Sequence, residues 1–201
     1  FFKQKTAYEI VDCDWSSDVC SSDLLWNAAE AAEKRKDAKV AREYELALPA
    51  ELDAGQRRDL VRAFAEDIRD RYGVAVDAAI HAPHDYGDDR NHHAHVMTTT
   101  RMVDAQGLGA KTRQLDVRSS ASIEVEEIRA SWAAQVNDAL ELAQVAERVD
   151  HRSYARQGVE MEPTVKMGHA SAAIERRAER DRKSTRLNSS HSQQSRMPSS
   201  A

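Results

Sequence analysis

The sequence predicts an α+β domain built on an antiparallel sheet that is flanked by helices. Residues 74–81 and 92–101 have the composition of strands, and the loop between them holds Pro83 and Gly87, which suits a turn between antiparallel neighbours. Residues 60–68 carry apolar side chains at helical spacing. With 201 residues, of which 41% are hydrophobic, the chain is long enough to bury one core of ordinary size.

The first half of the chain is predicted to alternate helix and strand. Alanine, lysine and glutamate dominate residues 25–41, which indicates a helix. Residues 42–48 alternate between charged and apolar side chains, which predicts a strand that Pro49 ends. Asp53 is a suitable N-cap for the next helix, and Gly73 is a suitable end for it.

The second half is predicted to leave the central strands through an exit loop at 102–109. Apolar residues then recur at helical spacing from Ser122 to Ala143, which predicts a long amphipathic helix. Trp132 lies within this helix, and we expect it to pack in the core rather than to stack on a nucleobase. Residues 149–154 are predicted to form a short strand and 160–169 an extended arm.

The C-terminal part of the chain is predicted to form a basic helix that ends at Arg182, and a tail of different composition follows it. Residues 183–201 are rich in serine and nearly free of apolar side chains, and residues 1–24 lack a sustained strand or helix period. Both segments resemble translated sequencing-adapter sequence. We therefore expect the native domain to span 25–182 as a fragment, with a non-native leader and a non-native disordered tail.

The segment from His81 to Arg101 holds five of the eight histidines in the chain. On a strand, His93 and His95 point to the same side, and His81 ends the strand before them. Three neutral imidazoles suit a divalent metal that keeps open positions for substrate. His84 and His92 could support the metal-bound imidazoles or could be ordinary loop residues.

Two further groups of charged residues are candidates for function. Glu43 and Glu45 share one side of their strand. They are either its solvated side or, if this strand lies beside the histidine strand, residues with a catalytic or metal-supporting role. Arg101, Lys111 and Arg113 are candidate contacts for DNA phosphates, although a solvated loop is the simpler interpretation of this basic stretch.

Composition limits the other classes of function. The formal net charge of −5 gives no global case for nucleic-acid binding, so any DNA contact must rest on local patches. No apolar run is long enough to span a bilayer, and no secretory signal is evident, so we expect a cytoplasmic protein without a membrane partner. Cys13 and Cys20 suggest neither a disulfide framework nor a metal site.

The histidine segment resembles the MobA/MobL relaxases, including the TraA-type conjugal transfer proteins. The similarity is carried by residues 79–84 and 90–101, with support from other stretches at 25–30, 42–49, 72–76 and 149–162. It implies a sheet-centred domain of the His-hydrophobic-His endonuclease class. Members nick one strand of plasmid DNA at the origin of transfer, where a tyrosine hydroxyl attacks the scissile phosphate.

The resemblance also implies roles for particular residues. His81, His93 and His95 would form the metal triad, and Glu43 and Glu45 would assist the nucleophile. Magnesium or manganese is favoured for phosphoryl transfer, and zinc is the alternative. The implied partners are single-stranded DNA at the origin of transfer and other conjugation proteins.

The nucleophile of the family lies close to the N-terminus, before the helix that we predict from Leu25. No tyrosine of this sequence matches that position, so we name no nucleophile and expect the fragment to be inactive in strand transfer. Two other functions remain open. One is a non-catalytic module that binds single-stranded DNA, and the other is an unrelated zinc hydrolase with three histidine ligands.

Overall fold

The computed structural model describes residues 8–12, 21–83, 90–161, 174 and 177–178. The chain divides into two compact units, 1–151 and 152–201, and only the short helix α4 and its neighbours are described in the second. In chain order, the elements are β1 (Tyr8–Asp12), α1 (Ser21–Ala31), β2 (Ala41–Ala47), α2 (Ala54–Tyr72), β3 (Val74–His81), β4 (His93–Asp104), β5 (Gly107–Lys111), α3 (Arg118–Leu142) and α4 (Tyr154–Gln157).

The strands of the first unit form one sheet in the order β1-β3-β4-β2, and β5 also pairs with β4. β3 and β4 are antiparallel, as the sequence predicted, and β2 and β5 are both antiparallel to β4. β1 pairs in parallel with β3. The α+β class with a mainly antiparallel sheet is therefore confirmed.

One side of the sheet carries the hydrophobic core. Ala94 and Val96 of β4 are fully buried on this side, beneath α2 and its buried residues Val61, Phe64 and Ile68. The predicted core position of Trp132 is confirmed, since its ring packs edge-on against Phe64 with centroids 5.4 Å apart. Through these contacts, α2, α3 and the sheet share one hydrophobic core.

The ends of α2 are as the sequence predicted. The Asp53 carboxylate accepts a hydrogen bond from the Gln56 N–H, and the Gln56 side chain accepts one from the Asp53 N–H, both at 2.8 Å. Gly73 ends the helix in the left-handed conformation, at φ 64°. The sharp stop lets β3 begin at once and run back along the helix.

The opposite side of the sheet, called the histidine face here, carries the odd-numbered residues of β3 and β4 at 77–81 and 93–97. α1 lies against it at two points. The Trp26 indole N–H donates to Asp77 at 3.0 Å, and Glu33, just beyond α1, forms ion pairs with Arg101 and Lys111, each at 2.8 Å. Part of this face is therefore covered, and the part with the histidines is left open.

Two predictions about the elements were wrong in detail, and one strand was not predicted. Residues 1–24 lack a sustained strand period, yet Tyr8–Asp12 forms β1, which is supported by pairing with β3 rather than by its own periodicity. The helix expected over 25–41 begins at Ser21 and ends at Ala31. The predicted exit loop over 102–109 is instead the end of β4 and the start of β5, joined by a tight turn at Asp104.

The strand predicted over 149–154 was also wrong, because Tyr154–Gln157 is helical and the residues before it form no strand. The Asn137 side chain bonds both the N–H and the C=O of Val149, at 2.8 and 3.0 Å. A side chain of α3 thus forms the backbone hydrogen bonds with Val149 that a neighbouring strand would otherwise form. Most of the predicted arm and the basic helix lie outside the described residues.

No helix in the described part of the chain is both long and apolar enough to cross a lipid bilayer.

Candidate metal centre

His81, His93 and His95 meet at the open end of the histidine face. His81 and His93 are direct partners in the pairing of β3 with β4, and His95 follows two residues along β4. The ring centroids are 5.3 Å apart for His81 and His93, 4.7 Å for His81 and His95, and 5.4 Å for His93 and His95. Residues predicted from spacing alone are thus brought together by strand pairing.

The core on the other side of β4 fixes which residues face the site. Ala94 and Val96 alternate with the histidines and are fully buried. A slip of one residue in the pairing would bury imidazoles and expose this apolar set, so the register that fills the core also assembles the triad.

Hydrogen bonds set the tautomers of two of the three imidazoles. His93 Nδ1 lies 3.0 Å from the Asn91 carbonyl oxygen, and His95 Nδ1 lies 2.6 Å from Glu43 Oε1. A carbonyl and a carboxylate only accept, so each Nδ1 carries the proton and donates it. Each Nε2 then keeps its lone pair for a ligand.

The surroundings of His81 favour its neutral form. Its pKa is lowered, first by desolvation and then by the proximity of His95 and His93. A neutral imidazole is the form that binds a metal ion, so this shift favours ligation.

The spacing of the ligand atoms fits a single divalent ion. One candidate nitrogen from each of the three histidines lies within 4.8 Å of the other two. Two nitrogens bound to one ion at about 2.1 Å can be at most about 4.2 Å apart, so small ring movements suffice to close the site. Three ligands leave coordination positions open, as a catalytic centre requires.

The two glutamates lie on β2 beside this centre. Glu45 pairs directly with His95, whereas Glu43 pairs with Met97, one step further from the triad. Both side chains are exposed. The bond from His95 to Glu43 was missed from the sequence because it depends on how β2 pairs with β4. The role of the Asn91 carbonyl was missed because it depends on the backbone conformation just before β4.

The other predicted site residues have mixed placements. His84 lies outside the described residues. His92 precedes β4, and its carbonyl oxygen accepts from the Leu48 N–H at 2.9 Å, which continues the pairing of β2 with β4. Its part in a metal site stays a prediction.

The three candidate phosphate contacts differ in their surroundings. Arg101 and Lys111 both bond Glu33, whose carboxylate is largely enclosed with 8% of its side chain exposed. The bonds from Lys111 and then Arg101 lower the pKa of Glu33. Arg113 is exposed after β5. DNA binding by these residues stays a prediction, and the first two already have a structural partner.

Two tyrosines are committed to the core. Tyr44 lies on the core side of β2 and packs edge-on against Phe64 at 5.8 Å, and burial raises its pKa. Tyr72 donates its hydroxyl to Glu124 at 2.7 Å, and burial followed by this bond raises its pKa further. Neither hydroxyl is available as a nucleophile at the triad. Tyr86 lies outside the described residues.

The antiparallel sheet with its flanking helices, and the three imidazoles that converge on it, define a domain of the relaxase type. A solved structure titled "Molecular Basis of Vancomycin Resistance Transfer in Staphylococcus aureus" has a similar fold, with a TM-score of 0.55 and 30% identity over 65% of this chain and 66% of that chain. The MobA/MobL family model matches residues 4–177. This chain belongs to the MobA/MobL family of plasmid mobilisation proteins.

Named relatives agree with this assignment. Mobilization protein MobL of Acidithiobacillus ferridurans is 38% identical over 76% of this chain and 47% of its own length. Conjugal transfer protein TraA of Agrobacterium fabrum is 35% identical over 85% of this chain and 16% of its own length. The chain thus spans about half of the first relative and about a sixth of the second. The resemblance to this family that the histidine segment suggested is confirmed.

Proposed function

We propose that this domain binds a divalent metal and single-stranded DNA at an origin of transfer, and that it supports nicking of one strand during plasmid conjugation. The convergence of His81, His93 and His95, two of them already in the metal-binding tautomer, is the observation that carries the proposal. Membership of the MobA/MobL family supplies the reaction class. A match along most of the chain favours this function over an unrelated zinc hydrolase.

His81, His93 and His95 would hold the ion beside Glu43 and Glu45, and these residues would act together on a phosphodiester. When bound, the metal polarises a non-bridging phosphate oxygen and neutralises charge in the in-line displacement. A carboxylate of the acidic strand accepts the proton of the attacking tyrosine hydroxyl, whose ordinary pKa near 10 makes it a weak nucleophile.

The bonds in this reaction balance without a further reactant. The tyrosine oxygen forms a bond to phosphorus, the bond from phosphorus to the 3′ oxygen breaks, and that oxygen leaves as a 3′ hydroxyl once it is protonated. We assign no residue of this chain to the attacking role, since Tyr44 and Tyr72 are committed to the core.

Magnesium or manganese is the proposed cofactor, because phosphoryl transfer ordinarily uses these ions, and zinc is the alternative. Other conjugation proteins are proposed partners by family membership, and the cytoplasm, which holds the plasmid, is the proposed compartment. A non-catalytic module for single-stranded DNA is the second candidate. One observation favours it: in the first unit, both tyrosines whose side chains the structure describes, Tyr44 and Tyr72, are committed to the core.

The test combines metal binding with strand cleavage. The purified chain is titrated with Mn²⁺ by calorimetry and then mixed with labelled single strands that tile the transfer origin of a plasmid carrying this gene. The proposal expects Mn²⁺ binding and salt-dependent DNA binding, and expects His93→Ala to weaken the binding of Mn²⁺. Because no tyrosine of this chain is assigned as the nucleophile, cleavage at one position would show that the chain supplies one, whereas DNA binding without cleavage would favour the non-catalytic module. Unchanged Mn²⁺ binding in His93→Ala, or no binding of single-stranded DNA, would overturn the proposal.

A further inference from the structure

We infer that the two glutamates of β2 have different roles: Glu43 is a positioning residue that sets the tautomer and orientation of His95, and Glu45 is the carboxylate left to accept a proton. The inference concerns the residues of this chain and rests on the proposed function only for the proton transfer. It replaces the shared role that the sequence suggested for the pair.

The pairing of β2 with β4 shows that Glu43 and Glu45 are placed differently relative to His95. Glu45 lies directly opposite His95, yet the hydrogen bond of His95 goes diagonally to Glu43. Its length of 2.6 Å is that of a bond to a charged acceptor. The ring has therefore turned its Nδ1 away from the residue directly opposite.

The diagonal direction matters because of where the triad lies. Along β4, His93 is on one side of His95, and Met97, the partner of Glu43, is on the other. A bond from Nδ1 toward the Met97 side turns Nε2 toward His93 and His81. Glu43 thus accepts a hydrogen bond from Nδ1, the ring nitrogen on the side away from the triad, as carboxylates commonly do for metal-bound histidines.

The other two imidazoles do not depend on a side chain in this way. His93 Nδ1 is held by the backbone carbonyl of Asn91, so no substitution removes its acceptor. His81 is set by its position opposite His93. His95 is therefore the ligand whose orientation can be changed by altering one carboxylate.

Glu45 lies in a different position. It is exposed, and no described residue forms a hydrogen bond or an ion pair with its carboxylate. Its register places it beside His95 and two residues from Ala47, the partner of His93. A carboxylate next to the open coordination positions, with no partner in the described part of the chain, is suited to accept the proton of an incoming hydroxyl.

The first experiment measures the tautomer in metal-free protein, without DNA. Long-range ¹⁵N–¹H spectra of histidine-labelled chain distinguish the protonated ring nitrogen of each imidazole. We expect wild-type His95 to carry its proton on Nδ1. Glu43→Ala should shift His95 toward the Nε2–H form that free imidazole side chains prefer, and Glu43→Gln should partly restore Nδ1–H because its amide oxygen still accepts. Glu45→Ala is the matched control and should leave His95 unchanged.

The second experiment measures Mn²⁺ affinity by calorimetry for the same variants. Glu43→Ala should weaken binding by about 10-fold or more, whereas Glu45→Ala should change it by less than about 2-fold. Both residues are exposed on one strand, and circular dichroism melts check that each variant folds.

Two outcomes would overturn the inference. One is an unchanged His95 tautomer and unchanged Mn²⁺ affinity in Glu43→Ala, and the other is equal changes in both alanine variants. These readouts stand apart from nicking. A protein that binds no single-stranded DNA but shows the tautomer shift would contradict the proposed function and still support the role of Glu43.

Discussion

The indole N–H of Trp26 donates to the Asp77 carboxylate at 3.0 Å and so joins α1 to the histidine face of β3. Asp77 is two residues before Ala79, the partner of His95, so this contact lies one step from the metal centre. α1 is thus attached to the histidine face, and this attachment can be tested separately from the metal.

Trp26→Phe keeps an aromatic ring but removes the donor. We expect it to lower the free energy of unfolding by about 1–3 kcal/mol, because the partly buried Asp77 carboxylate loses a hydrogen bond. Urea denaturation measures the change. In a double-mutant cycle with Asp77→Ala, which removes the acceptor, the two losses should be less than additive; full additivity would show that the bond contributes nothing.

Glu33 should give the protein part of its sensitivity to acid. Its pKa is lowered from the ordinary value of 4.5 by Lys111 and Arg101, so the folded state binds its proton less readily than the unfolded chain does. The stability that the ionised Glu33 gives the folded state is therefore complete above the ordinary pKa of 4.5, and it is lost as the pH falls through the lowered pKa of the folded state. Denaturant midpoints measured between about pH 3 and pH 7 should show this dependence in the wild type.

The matched variant for this test is Glu33→Gln, which should be less stable near neutral pH and should lose less stability on acidification. Arg35–Asp37, an exposed pair nearby, offers the control Asp37→Asn. If the denaturant midpoints of the wild type and of Glu33→Gln depended on pH in the same way, the role assigned to Glu33 would be contradicted.

Mn²⁺ should stabilise the folded chain through the triad. An ion that binds only the folded state at about 100 times its Kd adds about 2.7 kcal/mol, which appears as a higher Tm. His95→Ala should abolish most of this shift. His151→Ala is the control, because His151 pairs with Glu126 and Asp150 elsewhere in the structure. An equal Tm shift in both variants would place the ion outside the triad.

Phe64 should be the most sensitive core position. It is fully buried and contacts both Tyr44 and Trp132 edge-on. Phe64→Ala should cost about 3–5 kcal/mol, through lost apolar burial and a cavity beneath β2 and β4. Leu142→Ala, at a residue that is 87% exposed, should change stability by no more than about 0.5 kcal/mol. Chemical denaturation compares the two.

Local spacing was enough to predict the triad and the core helices. His93 and His95 share a strand face by alternation alone, and the capping box at Asp53 is contained within four residues. Contacts between distant segments were beyond that reasoning. The bond from His95 to Glu43 spans 52 positions, and β1 is a strand because it pairs with β3.

The strand predicted over 149–154 shows the same limit. Val149 bonds an asparagine side chain of α3, and no periodicity near Val149 could reveal that partner. The Glu33 ion pairs were hidden for a similar reason, since the two cations looked like exposed phosphate contacts until the fold placed a carboxylate between them.

The alternation along β4 makes the domain's chemistry separable from its folding. Even-numbered positions such as Ala94 and Val96 fill the core, whereas the His93 and His95 side chains lie on the other side of the strand, near each other and His81. An engineer could exchange His93 for Asp to favour a harder ion while the apolar residues of the core stay as they are. The ion preference of the proposed metal centre could then be redesigned without rebuilding the interior of the domain.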